Sequence, residues 1–252
     1  SIAYKRAINA VSNPDEFDIN LLVTPGVIHS LHPSVTNHAI SKVEARADSF
    51  FILDSIGYSD SIQTAINTVK TLDSNYVGTY YPWVKILDRD TNRQVWVPPS
   101  VVIAGVISNT DAVAHEWFAP AGLNRGGLTS VTEARTRLTH AERDDLYENR
   151  INPIASFPGQ GVVVFGQKTL QAKPSALDRI NVRRLLIRLR KFIASTSRFL
   201  VFEQNTQALR NRFLNVVNPF LAQVQSNSGL SAFRVVMDDT NNTPDVVDRN
   251  QL

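Results

Sequence analysis

Along the first eighty residues, short continuous apolar runs alternate with apolar positions spaced every three or four residues, predicting strands and helices in turn. Phe17–Val23 closes in an apolar run and meets a turn signal at Thr24-Pro25-Gly26, so a strand is expected to stop there. Val35, Ala39, Val43 and Ala47 recur every four residues as one helix face, with Ser34 placed to cap it. Phe50–Leu53 reads as a buried strand. Asp60 and Gln63 have capping-box spacing at the head of a helix carrying Ile62, Ala65, Ile66, Val69 and Leu72, and another strand is expected around Val77–Tyr81. This rhythm predicts an α/β fold with a mixed, largely parallel sheet covered by helices.

The middle of the chain is irregular. Trp83–Leu87 and Arg93–Val97 flank the polar Asp88–Asn92, the pattern of a hairpin. Pro98-Pro99-Ser100 leads into a helical segment over 100–108, and Ser130 with Glu133 forms a second capping box opening a helix over about 130–148. A soft internal boundary is expected near 110–130. Further on, Gly161–Gly166 reads as a strand, and Val182, Leu185, Leu186, Leu189 and Ile193 mark a helix face. Phe199–Phe202 reads as a buried strand and Ala232–Met237 as a final one. Between them Leu209, Phe213, Val216, Phe220 and Val224 mark a helix expected to kink or break at Pro219, whose ring would clash with the carbonyl of Asn215.

Composition narrows the class. With 252 residues, 43% hydrophobic and 19% charged, the chain can bury a substantial core. The absence of Cys removes disulfides, thiolate metal sites and Cys nucleophiles together. The longest apolar run, Val101–Ile107, is far short of the ~20 residues that span a bilayer. The net charge of +3 hides an asymmetry: residues 1–126 balance to −3 and residues 127–252 to +6. The excess sits in 168–198, where nine basic residues face the single acid Asp178. Arg184, Arg188 and Lys191 fall on one face of that segment's helix, and with Arg183 they are the candidate interface residues. They read either as a solvated face or as a docking surface for an acidic partner. No DNA-reading motif accompanies them, so neither nucleic acid nor a membrane is an expected partner.

Catalytic signatures are weak. His29, His32 and His38 cluster, yet without HExxH and beside Pro33 they read as loop histidines rather than zinc ligands. Asp54 stands at the carboxyl end of a strand, where α/β sheets keep ligand sites, but a side-chain-to-backbone turn bond explains it as well. Gly57-Tyr-Ser-Asp-Ser61 matches a nucleophile elbow at its glycine and serine and then lacks the second glycine. Gly159, Gly161 and Gly166 do not form a dinucleotide fingerprint, and Asp144 with Glu148 reads as surface decoration. The chain offers no catalytic set and no cofactor or metal signature.

A longer series of motifs has a family character. Tyr80-Tyr-Pro-Trp-Val84, Val95-Trp-Val-Pro-Pro-Ser100, Ala104-Gly105, Asn109-Thr-Asp111 and Ala119-Pro-Ala-Gly122 with Asn124-Arg-Gly126 run in order. Ile151-Asn-Pro153, Phe157-Pro-Gly159, Phe165-Gly166, Asp178-Arg-Ile-Asn-Val-Arg-Arg-Leu185, Val201-Phe-Glu203, Phe233-Arg-Val-Val236 and Asp238 through Pro244 continue them. Together they resemble the tail sheath proteins of contractile-tailed bacteriophages, most closely those of large phages, over roughly residues 80–250. The resemblance implies a non-enzymatic structural subunit that polymerises around a tail tube and contracts to drive it through the host envelope. It implies other sheath subunits, the tube, the baseplate and a tail terminator as partners, no cofactor, and a virion location after assembly in the host cytoplasm. It also implies that the basic helix faces the tube or a neighbouring subunit, and that subunits are linked by terminal arms adding strands to neighbours' sheets. On this reading residues 1–252 are the core of a sheath subunit, cut before both arms and unable to polymerise alone. Two alternatives stay open: a sheath-like subunit of a non-phage contractile injection machine, and an α/β enzyme with a ligand site near Asp54.

Overall fold

In a computed structural model that describes residues 1–249 and 251, the chain opens with helix α1 (Ile2–Ala10) and then builds a sheet by strand–helix alternation. The order is β1 (Leu21–Ile28), α2 (Pro33–Arg46), β2 (Phe50–Asp54), α3 (Ile62–Val69) and β3 (Val77–Tyr81). A hairpin follows, β4 (Val84–Asp88) and β5 (Arg93–Val97), then α4 (Ser100–Val113), β6 (Val131–Ala134), α5 (His140–Glu148), β7 (Ile151–Phe157) and β8 (Gly161–Val164). Helices α6 (Ile180–Ser197), α7 (Gln207–Ser226) and the short α8 (Pro244–Asp248) complete the chain. Two units emerge, Ser1–Ile187 and Arg188–Leu252, dividing within α6; residues 110–130, where a soft boundary was expected, lie inside the first.

The first unit is organised by a five-stranded sheet of order β1-β2-β3-β7-β8, parallel except for β8. Both faces are covered, so its strands read as continuous apolar runs rather than alternating ones. Along β2, Phe51 and Leu53 enter a core with α2, α3 and α5, while Phe50 and Ile52 enter a second core with α4 and the start of α6. Gly78 in β3 permits this packing, because a Cβ there would stand 3.0 Å from the Phe50 ring and 3.2 Å from Ile180. The hairpin and β6 form a separate antiparallel sheet of order β5-β4-β6.

Several boundaries differ from expectation. β1 does not stop at Thr24-Pro25-Gly26 but runs through it, with a register shift between Val23 and Ile28 and Gly26 at φ 81°. An edge strand tolerates Pro25 because its outer N–H groups need no ladder partner. α2 starts at Pro33, and Ser34 accepts a hydrogen bond from Lys5 instead of capping. α3 is capped by Ser61, whose Oγ accepts from the Thr64 N–H, while Asp60 accepts from the Gly57 N–H. The expected helix over 130–148 is a strand followed by a shorter helix. Glu133 pairs across strands with Lys85 at 2.7 Å, and the true capping box is Thr139 with Glu142. α7 is continuous through Pro219.

The largest corrections lie in the second unit. Phe199–Phe202 is no buried strand: it begins in a 3-10 turn, Arg198–Leu200, and ends with Phe202 at φ 70°. Ala232–Met237 forms no strand either. A strand needs a neighbour to take its N–H and C=O groups, and among the described residues of this unit there is none.

Candidate assembly surface

The four basic residues singled out by sequence do not form one free stripe. Arg183 and Arg184 are only 7% and 5% exposed. Arg184 makes a two-pronged ion pair with Asp111, at 2.8 and 2.5 Å, and also donates to the Glu116 carbonyl. Arg183 lies over the Tyr76 ring, 4.1 Å from its centroid, and burial pulls its pKa down. Within the first unit Arg184 holds α6 against the end of α4, and Arg183 holds it against Tyr76. Arg188 remains exposed and Lys191 half-buried. The Arg184–Asp111 pair spans 73 positions with no local pattern to announce it, although both residues sit in the family-like motifs.

Asp54 is also turned inward. Its carboxylate accepts from the Ser100 N–H at 3.1 Å and the Ser100 hydroxyl at 2.6 Å, so it caps the start of α4 from a distant strand rather than closing a local turn. Burial raises its pKa to about 6, against the opposing effect of the two Ser100 bonds. The histidines are separately engaged: His29 with the Thr36 hydroxyl, His32 as acceptor from the Ile28 N–H, and His38 with the Asn9 amide oxygen. Among the described residues no group of three or more His, Asp or Glu side chains is arranged to hold a metal ion. No helix is long and apolar enough to cross a membrane, again among the described residues.

What the second unit displays is apolar. Phe202 is fully exposed and Phe199 75% exposed, with Val201 and Val216 also in solvent. Beside them a cavity of about 530 Å³ is lined by Leu200, Val201, Phe202, Phe213 and Met237. Residues 232–237 take no regular secondary structure, with Phe233, Val235 and Met237 half-buried and Ala232, Arg234 and Val236 exposed. That is the period-two pattern of a strand with one face covered. No backbone–backbone hydrogen bond joins 230–237 to another segment among the described residues. One stretch of strand-like alternation, 232–237, thus stands unpaired in this unit, which is the chemistry of an edge awaiting an added strand.

Comparison with known proteins agrees with the sequence motifs. Residues 2–170 match the phage tail sheath protein central domain, and residues 172–252 the phage tail sheath C-terminal domain. The tail sheath protein of Vibrio phage KVP40 is 40% identical over 185 residues, covering 73% of this chain and 26% of that protein. The tail sheath protein of Enterobacteria phage T4 is 38% identical over 195 residues, covering 77% and 28%. The chain therefore spans about a quarter of the length of these relatives. Among solved structures, a chain of the anti-feeding prophage baseplate superposes with a TM-score of 0.73 at 25% identity, covering 94% of this chain and 64% of that one. A chain of the anti-feeding prophage helical sheath in its contracted state gives 0.65 at 28% identity, covering 88% and 59%.

Proposed function

The chain belongs to the phage tail sheath protein family, and from that premise we propose that it is the body of a contractile sheath subunit, a virion component that stacks around a tail tube and contracts to drive it through the host envelope. The observation that carries this reading is the unpaired strand-like segment 232–237 in the second unit, which shares a cavity with the exposed Phe202. Extended arms of neighbouring copies add strands there, giving main-chain bonds that survive rigid-body movement of the subunits. Force in such a device comes from repacked interfaces, so the reading requires no catalytic group. Identity of 38–40% to phage sheath proteins, against 25–28% for the anti-feeding prophage chains, favours a phage tail over a non-phage injection machine.

The partners follow from the same reading: other sheath subunits, the baseplate, the tube and a tail terminator, brought together in the host cytoplasm. Arg188, exposed on α6, and the half-buried Lys191 are assigned the contact to an acidic tube or neighbouring subunit, and such a contact weakens with salt. Electron microscopy of the full-length protein tests the whole: helical tubes are expected, and dispersed monomers overturn it. Charge reversal of Arg188 and Lys191 together is expected to weaken tube binding at low salt; unchanged binding removes the basic helix from the account.

A further inference from the structure

At the carboxyl ends of β2 and β3 the chain departs to opposite faces of the sheet. β2 continues into α3, whose Ala65, Ile66 and Val69 pack in one core. β3 continues through the hairpin into α4, whose Val102, Ile103, Val106 and Ile107 pack in the other. Divergence of this kind opens a crevice at the strand ends, the place where open α/β sheets hold ligands. Here it is a dish of about 400 Å³ whose lining includes Tyr58, Asp60, Gln63, Tyr81 and Arg135.

Three features converge on it. Tyr81 is 5% exposed and lines the crevice, yet its hydroxyl has no hydrogen-bond partner among the described residues. Arg135 is pinned by its backbone N–H donating to the Trp83 carbonyl, and its guanidinium lies 4.8 Å from the centroid of the Tyr58 ring. It makes no direct ion pair among the described residues: Glu133 pairs with Lys85 at 2.7 Å, and Arg135 acts on that carboxylate only as a more distant charge. The third feature is the N-terminus of α3. Ser61 accepts from the Thr64 N–H through its hydroxyl and from the Ala65 N–H through its carbonyl, which leaves the Ile62 and Gln63 N–H groups as first-turn donors unused among the described residues. Tyr58 is itself fixed by Trp83 and Trp96, at 5.9 and 5.4 Å between ring centroids, and Trp83 is anchored by donating to the Ile56 carbonyl. The carboxylate of Asp60 on the rim sets a limit on charge: it disfavours a dianion and leaves room for a monoanion.

We propose that this crevice is a carboxylate-binding site that receives an acidic side chain from a neighbouring copy of the chain. The Arg135 guanidinium offers a planar fork to the two oxygens, the Tyr81 hydroxyl donates a further hydrogen bond, and the Tyr58 ring covers the methylene carbon. The choice of a neighbouring copy rests on the assembly reading above; binding of the carboxylate does not. The test therefore has two arms. In the first, the 252-residue chain is titrated with N-acetylglutamate amide while the fluorescence of Trp83 and Trp96 and the arginine side-chain NMR signals are followed. A saturable response is expected with this probe and not with N-acetylglutamine amide. R135M is expected to weaken it at least tenfold and Y81F severalfold, with thermal unfolding of R135M unchanged because that side chain is exposed. No saturation, an equal response to the glutamine probe, or tighter binding of inorganic phosphate overturns the site. In the second arm, full-length R135K is treated with carbodiimide, which joins an amine to a carboxylate in contact. An intermolecular crosslink at position 135 is expected in tubes, and coupling only to Asp60 or Glu133 of the same chain overturns the neighbouring-copy assignment. Absence of tubes counts against the assembly reading, while the first arm still decides the pocket.

Discussion

Phe50-Phe-Ile-Leu53 and Phe199-Leu-Val-Phe202 each hold two aromatic and two aliphatic residues in four, and they end in opposite states. The first lies in β2, fully buried between β1 and β3, with alternate side chains entering the two cores. The second turns through a 3-10 segment and leaves both phenylalanines in solvent. Strand propensity is the capacity to fit a half-buried, paired surface, and it is realised only where neighbours supply the pairing. The first unit contains those neighbours. The second displays the same chemistry without them, as a surface built to be completed by another chain would.

The sharpest way to separate the two runs is to cut a side chain from each. Ile52→Ala is expected to cost about 4 kcal/mol in urea unfolding of the chain, as for fully buried aliphatic residues, whereas Val201→Ala should change stability by less than about 0.5 kcal/mol. Equal costs would mean that the second run is packed in the chain. Next comes the ion pair inside the first unit. Asp111→Ala leaves Arg184 buried and unpaired, with an expected loss of about 3–5 kcal/mol, and a second change, Arg184→Met, should recover much of it.

A slightly smaller effect belongs to Asp54. Its pKa of about 6 in the folded chain exceeds the ordinary 3.8, so the folded state favours its protonated form. Its contribution to stability is full below about pH 4 and is lost as pH rises through 6, on the order of 3 kcal/mol for a shift of this size. Asp54→Asn keeps an acceptor for the Ser100 N–H and cannot ionise. Chemical unfolding of the native chain and of D54N, compared from pH 4 to 7, should therefore show stability moving in favour of the variant as pH rises. A flat difference would remove Asp54 from the account. Thr139→Ala, which removes the capping box of α5, should cost about 1 kcal/mol. The smallest thermodynamic change has the largest consequence for assembly: Phe202→Asp should leave unfolding of the chain within about 0.5 kcal/mol and abolish tube formation by the full-length protein. Normal tubes from that variant would show that the second run is not a contact surface.

The elements that could be read from sequence are those whose pattern is local and whose partners are certain. Phe50–Leu53, Val77–Tyr81 and the Asp88–Asn92 hairpin fall where expected because a long apolar run or a polar turn between strand-like segments has few other uses. β7 escaped because Pro153 stands in its middle. Pairing with β3 ends at Pro153 and pairing with β8 begins at Ile154, so the missing N–H falls where one ladder gives way to the other. Ser130 and Glu133 imitated a helix start because capping-box spacing says nothing of a Lys85 waiting across a strand. The candidate site was legible as a basic helix and not as a surface, since the buried partners of Arg183 and Arg184 lie at Tyr76 and Asp111, far away in sequence. The carboxylate crevice was less legible still: Gly57-Tyr-Ser-Asp-Ser61 drew attention as a broken elbow, but nothing local announced Tyr81 or Arg135.

By itself the sequence determined the α/β class, the two-sided burial of the central strands and, through ordered motifs, membership of the sheath family. These depend on periodicity and residue type, which are properties of short segments. Only the tertiary structure decided which charges are used internally, which strand-like runs find partners and which aromatic side chains converge on the crevice at the sheet's carboxyl end. Each of those depends on groups brought together from distant parts of the chain, and a buried charge or an unpaired N–H has its energy set by that surrounding rather than by its neighbours in sequence.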